Sequence, residues 1–132
     1  MGFSISRFDT KTKANAGIEV ELLDEATGAK SGAFVTVLGT DSDVFRNAAA
    51  EQGRARQERA RLSPGKAFTP REQDLEAAEL LAACTTGWRG LEDEGVEIPF
   101  TKERAQKYYA DLPTLREQVS QAVGSRTLFL KA

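Results

Sequence analysis

The chain of 132 residues contains no histidine and one cysteine, Cys84. Without histidine, Ser–His and Cys–His nucleophile pairs are excluded. Zinc sites of mixed Cys and His ligands are excluded too, and the commonest general base near neutral pH is missing. A single cysteine excludes an internal disulfide. Neither G-x-G-x-x-G nor G-x-x-x-x-G-K-[ST] occurs, so no glycine-rich phosphate loop is expected. The run Glu92-Asp93-Glu94-Gly95 lacks the spaced oxygen ligands of a calcium loop and reads as an exposed turn. No apolar run is long enough to span a bilayer. The opening "MGFSISRFDTKTK" has no apolar signal-peptide core, so the expected compartment is the cytoplasm. The net charge of −2 is not the basic balance of a dedicated nucleic-acid binder. These absences point to a non-enzymatic protein without cofactor or metal.

What is present suits a single domain over residues 1–132. Apolar residues make up 40% and charged residues 29%, too hydrophobic for wholesale disorder. Residues 1–16 alternate at Phe3 and Ile5 and then turn polar, which suggests a loose arm or an edge strand. Ile18, Val20 and Leu22 alternate with Glu19 and Glu21, and Ala33, Val35 and Val37 repeat the period of two. With "DEATGAKSG" between them, a β-hairpin is predicted, strands about 18–23 and 33–38.

Helical signals follow. "TDSD" offers caps for a helix over about 41–62. "TPRE" places Thr69 as N-cap, Pro70 at the first helical position and Glu72 to close a capping box, predicting a helix over 70–86 with Gly87 as its stop. Thr101 caps a third helix, 102–110, with Ala105, Tyr108 and Tyr109 inward. Asp111 and Pro113 start a fourth, 113–123. The apolar tail Leu128-Phe129-Leu130 is expected to dock on the core. The fold class is therefore α+β, mainly α.

Two features invite a functional reading. Arg54, Arg56, Arg59 and Arg61 crowd into eight residues, and residues 41–71 carry seven basic and four acidic side chains. Residues 72–103 carry two basic and nine acidic. The arginines are either a docking face for an acidic partner or a solvated helix whose charges meet the acidic half of the same chain or of a neighbouring subunit. Head-to-tail self-association into a homo-oligomer is one consequence. The second feature is "TTGWRGLEDEGVEIPFT", residues 85–101. Trp88, Ile98, Pro99 and Phe100 form either a structural junction between the second and third helices or, at Trp88, an aromatic anchor for a partner. Cys84 reads as a small buried hydrophobe.

The stretch from Thr85 to Leu130 resembles the C-terminal half of tail assembly chaperones of long-tailed, siphovirus-type phages and prophages. The likeness lies in the order of Trp88, the acidic turn Glu92 to Glu94, Ile98-Pro99-Phe100, a helix, Leu112-Pro113, a second helix and Phe129-Leu130. The front half is similar too, with "DEATGAKSGAFVTVLGTDSDVFR" matching a Thr-Gly turn, a strand and a Gly-x-Asp-Ser helix start. The resemblance spans roughly 17–130. It implies a protein of the host cytoplasm, absent from the mature virion, that engages the tape measure protein, keeps it soluble and helps tail tube subunits assemble around it. It also implies a longer frameshifted form of the same chain as a further partner. Two other classes stand beside it: a structural minor tail or connector protein, and a small adaptor that binds nucleic acid through the arginine-rich helix.

Overall fold

The computed structural model describes residues 2–132, and Met1 lies outside them. The expected arm or edge strand at the N-terminus is instead helical. A 3-10 turn, Ile5–Phe8, leads into helix α1, Thr10–Ala16, whose N-cap Asp9 accepts a hydrogen bond from the Thr12 amide. Strand β1, Ile18–Leu23, and strand β2, Lys30–Val37, form the predicted antiparallel hairpin, the second strand starting three residues early. Helix α2, Asp43–Leu62, begins at Ser42, whose hydroxyl accepts from the Phe45 amide. Helix α3, Pro70–Ala83, carries the predicted capping box between Thr69 and Glu72.

The main departure from expectation follows α3. Gly87 is not a helix stop. The chain leaves the helix at Cys84 and runs as strand β3, Thr85–Arg89, which pairs antiparallel with β2 and places Gly87 opposite Thr36. The sheet order is thus β1-β2-β3, with β2 central. The helix end is satisfied from elsewhere. Lys102 Nζ donates to the Ala82, Ala83 and Thr85 carbonyls at 3.4, 3.2 and 3.0 Å. The Thr85 hydroxyl donates to the Leu81 carbonyl at 2.8 Å. A cation at the negative end of the helix dipole adds to these bonds.

A two-stranded hairpin follows, β4, Glu92–Asp93, with β5, Val96–Glu97. Its turn residues Glu94 and Gly95 both have positive φ, the geometry that matches strand twist in two-residue turns. Helix α4, Lys102–Asp111, starts at the predicted Thr101 cap. Helix α5, Pro113–Gly124, does not use Asp111 as its cap. Asp111 ends α4 and pairs with Arg71 at 3.1 Å, while Leu112 is the N-cap and Pro113 fixes the first turn. Helix α6, Arg126–Lys131, starts at Ser125.

One face of the sheet is packed and the other faces water, as suits an antiparallel sheet. Leu22, Ala33, Val35 and Val37 meet Ala78, Leu81 and Ala82 of α3, Ala105, Tyr109 and Ala110 of α4, and Val119, Ala122 and Val123 of α5 in one cluster. Of the tail's three large apolar residues only Phe129 is buried. Tyr109 donates its hydroxyl proton to Thr85 Oγ1 at 2.9 Å, and burial pushes its pKa up to about 12. On the solvent face Arg89 forks onto Glu19 at 2.8 and 2.9 Å and lies over the Phe34 ring at 4.0 Å from its centroid. The Gln118 amide bonds both the N–H and the carbonyl of Leu23, at 2.8 and 2.9 Å, standing in for a missing neighbour at the edge of β1. Among the described residues no helix is long and apolar enough to cross a membrane.

The two chain ends meet. Ala14 of α1, Gly39 and Phe129 of α6 touch so closely that a Cβ on Gly39 would lie 2.9 Å from the Ala14 Cβ. Beside them Arg126 forks onto Asp41 at 2.7 and 2.8 Å. That bond, with a second from Thr10, lowers the Asp41 pKa to about 2. Asp41→Asn is therefore expected to destabilise the protein near neutral pH. A depressed carboxylate stabilises fully above its unfolded pKa of 3.8 and loses that effect as pH falls through about 2. The gap between variant and wild type in urea denaturation should close over that window. A gap that persists at the acid end would mean the ion pair is not its source. A separate backbone test lies at Gly90, where φ is 80° and an added Cβ would sit 2.6 Å from the Gly32 carbonyl oxygen. Gly90→Ala should cost about 2–4 kcal/mol in the same assay, and a near-neutral change would show that β3 and β2 can separate at this end.

Candidate functional site

The structure brings Trp88, Ile98 and Phe100 together. β3 pairs Trp88 with Val35 and turns its indole to the packed face of the sheet. The indole N–H donates to the Ile98 carbonyl at 2.8 Å. Phe100 meets the ring edge-on, with centroids 5.0 Å apart, and Tyr108 of α4 lies tilted at 6.3 Å. The β4–β5 hairpin makes this possible. The Ile98 amide bonds the Leu91 carbonyl at 2.8 Å, which folds the chain back so that Phe100 returns to Trp88. Pro99 offers its carbonyl to Arg104 at 3.1 Å. Trp88 is half-buried, and its polar edge is spent inside the chain.

The four arginines do not share a face. Arg59 pairs with Glu72 at 2.7 Å and Arg56 with Glu76, both on α3. Both guanidinium groups also lie over the Phe68 ring, at 5.3 Å for Arg56 and 5.1 Å for Arg59. Gln52 donates to the Glu76 carbonyl at 2.8 Å between them. The opposite charges of the two segments thus meet within one chain, which is how α2 is held on α3. Arg61 bonds Glu58 of its own helix, at 2.6 and 3.1 Å. Arg54 has no ion-pair partner among the described residues. No residue of α2 is buried, and its distal half, from Gly53 onward, is exposed on every side.

Two grooves flank this helix. One of about 710 Å³ runs between α2 and α3 past Arg54, Ala55, Leu75 and Glu79. The other, of about 610 Å³, opens between the start of α2, α3 and α5, and has an apolar floor of Phe45, Leu80, Leu81 and Val123 with Arg116, Glu117 and Ser120 along α5. Sequence reading missed this second groove. Its lining comes from three separated segments, and the pattern of each segment alone does not bring them together. At the start of the chain, read from sequence as an arm or edge strand, Phe3, Ile5 and Phe8 are largely exposed.

Chemically reactive groups are scarce. Cys84 is buried, and desolvation pushes its pKa up to about 11, so it is an inert thiol at neutral pH. Among the described residues no cluster of His, Cys, Asp or Glu could hold a metal ion. Glu92, Asp93, Glu94 and Glu97 of the acidic hairpin are exposed. The junction makes a direct prediction. Trp88→Phe keeps a ring against Phe100 and loses the bond to Ile98, and should cost about 1 kcal/mol in thermal unfolding followed by circular dichroism. Trp88→Ala should cost about 3 kcal/mol. If neither variant loses stability, the indole is not a staple.

No curated protein and no solved structure matches the chain. A model of the YdaY prophage protein family matches residues 40–129, from just before α2 into α6. The prophage origin implied by the sequence resemblance holds at this level. The match spans well over half of the 132 residues, and the chain belongs to the YdaY prophage protein family.

Proposed function

We propose that this prophage protein is a non-enzymatic tail assembly chaperone. It would bind the tape measure protein in the host cytoplasm, keep it soluble and assist tail tube assembly. The observation that carries this reading is the apolar groove lined by Phe45, Leu80, Leu81 and Val123. A long helical protein that is apolar along one face aggregates unless that face is covered, and a groove with an apolar floor and polar rim suits such a helix. The order of motifs from Trp88 to Phe129 adds the resemblance to the chaperones. The nucleic-acid reading is weaker, because Arg56 and Arg59 are already engaged by Glu76 and Glu72.

Co-expression with the tape measure protein encoded near it is the test. The expected result is a soluble complex that co-purifies. Ser120 lies exposed on the groove wall, so Ser120→Trp should block the groove without disturbing the core and lower recovery of the partner by about tenfold, a loss of ~1.4 kcal/mol of binding. An insoluble partner in the presence of the wild-type chain would overturn the chaperone reading. Normal recovery with Ser120→Trp would place binding elsewhere. The same chain found in purified particles would favour a structural tail component.

A further inference from the structure

The outward face of α2 carries a charge order that is complementary to itself. Glu51, Arg54, Glu58 and Arg61 alternate in sign with spacings of three, four and three residues. At 3.6 residues per turn they lie within about 80° of arc, one stripe on the helix. The spacing reads the same in both directions while the signs invert. A second copy of the helix laid antiparallel therefore sets Glu51 against Arg61, Arg54 against Glu58, and the reverse, with every charge facing its opposite. Arg56 and Arg59 are not part of this stripe, because they are turned to α3 and paired there. All four residues of the stripe are exposed, Glu51 and Arg54 at the mouth of the groove between α2 and α3. Arg61 and Glu58 are bonded to each other at the surface, and Glu51 and Arg54 have no ion-pair partner among the described residues.

We infer that the outward stripe of α2 is an interface with a second copy of this chain, the two α2 helices packing antiparallel about a two-fold axis near position 56. The occupant is a second copy because the charge complementarity is internal to one sequence. A two-fold contact uses the same patch on both subunits, and this stripe meets that condition with each of its four charges. The same register sets Leu62, which is 66% exposed, opposite Ala50 of the second copy, and so covers a large apolar side chain with a small one. Exposed ion pairs contribute only about 0.2–1 kcal/mol each. The dimer is accordingly weak, forms at high concentration and loosens as salt screens the charges. This inference does not depend on the chaperone reading, and its test needs no other protein.

The test is sedimentation equilibrium of the full chain over a range of concentration and salt. Wild type is expected to pass from monomer to dimer, less readily at high salt. Arg54→Glu and Glu58→Arg each turn two facing pairs repulsive, and each should weaken the dimer by about tenfold or more. Both positions are exposed, and circular dichroism is the check that each variant keeps its helix content. The decisive measurement is mixing. Arg54→Glu presents only negative charge at the two central positions and Glu58→Arg only positive, so the two variants should associate with each other while neither associates with itself. The double variant R54E/E58R should recover self-association. A wild-type monomer under all conditions overturns the inference. So does the absence of recovery on mixing, or a dimer strengthened by Glu58→Arg, which would mark α2 as a basic face for an acidic surface instead.

Discussion

At Cys84 and Thr85 the chain passes from helix to strand without a glycine, and the rest of the structure is organised around that change of direction. The last carbonyls of α3 are taken by Lys102 from the start of α4 and by the Thr85 hydroxyl, so the helix ends without an orphaned acceptor. The Cys84 carbonyl then accepts from the Leu38 amide at 2.8 Å, which seats the chain beside the end of β2. From there β3 completes the sheet, Val35 and Val37 become fully buried, and Trp88 is presented to Phe100 and Tyr108. Lys102 thus links helix, sheet and junction through one ammonium group.

The second organising feature is a separation of tasks among like residues. Four arginines within eight positions look alike in sequence, yet Arg56 and Arg59 are anchored on α3 by carboxylates and by the Phe68 ring, and Arg54 and Arg61 are not. The anchored pair explains how a 20-residue helix with no buried side chain stays on the molecule. Each contact alone is a surface interaction of small value. Grouped with the Gln52 bond and the half-buried Phe45, they hold the helix along its length. The other two are left for other surfaces.

Much of the fold was legible before any coordinates. The hairpin showed as a period of two, and α3 and α4 showed through Thr69-Pro70-x-Glu72 and Thr101, caps whose chemistry is local. What escaped depended on distant partners. Thr85, Thr86 and Trp88 have strand-forming side chains, but they follow a strong helical stripe, and Gly87 is a credible helix stop in isolation. Only pairing with β2 and the reach of Lys102 decide for a strand. Likewise, Asp111 looked like a cap because Pro113 follows it, yet Arg71, forty residues away, claims its carboxylate. At the candidate site, the Trp88 cluster was readable because its members lie within thirteen residues. The apolar groove was not, because its floor is assembled from α2, α3 and α5.

The lack of any buried residue in α2 has a consequence for the way the molecule opens. Residues that bury little can unfold locally without the whole domain coming apart, and their amides exchange through that partial opening. The central strand β2, with Val35 and Val37 at 1% and 0% exposure, opens only when the entire core does. One chain therefore contains two levels of stability. The platform of sheet, α3, α4 and α5 is therefore expected to outlast the contacts of α2, and any surface that covers α2 would gain part of its affinity by suppressing that local opening.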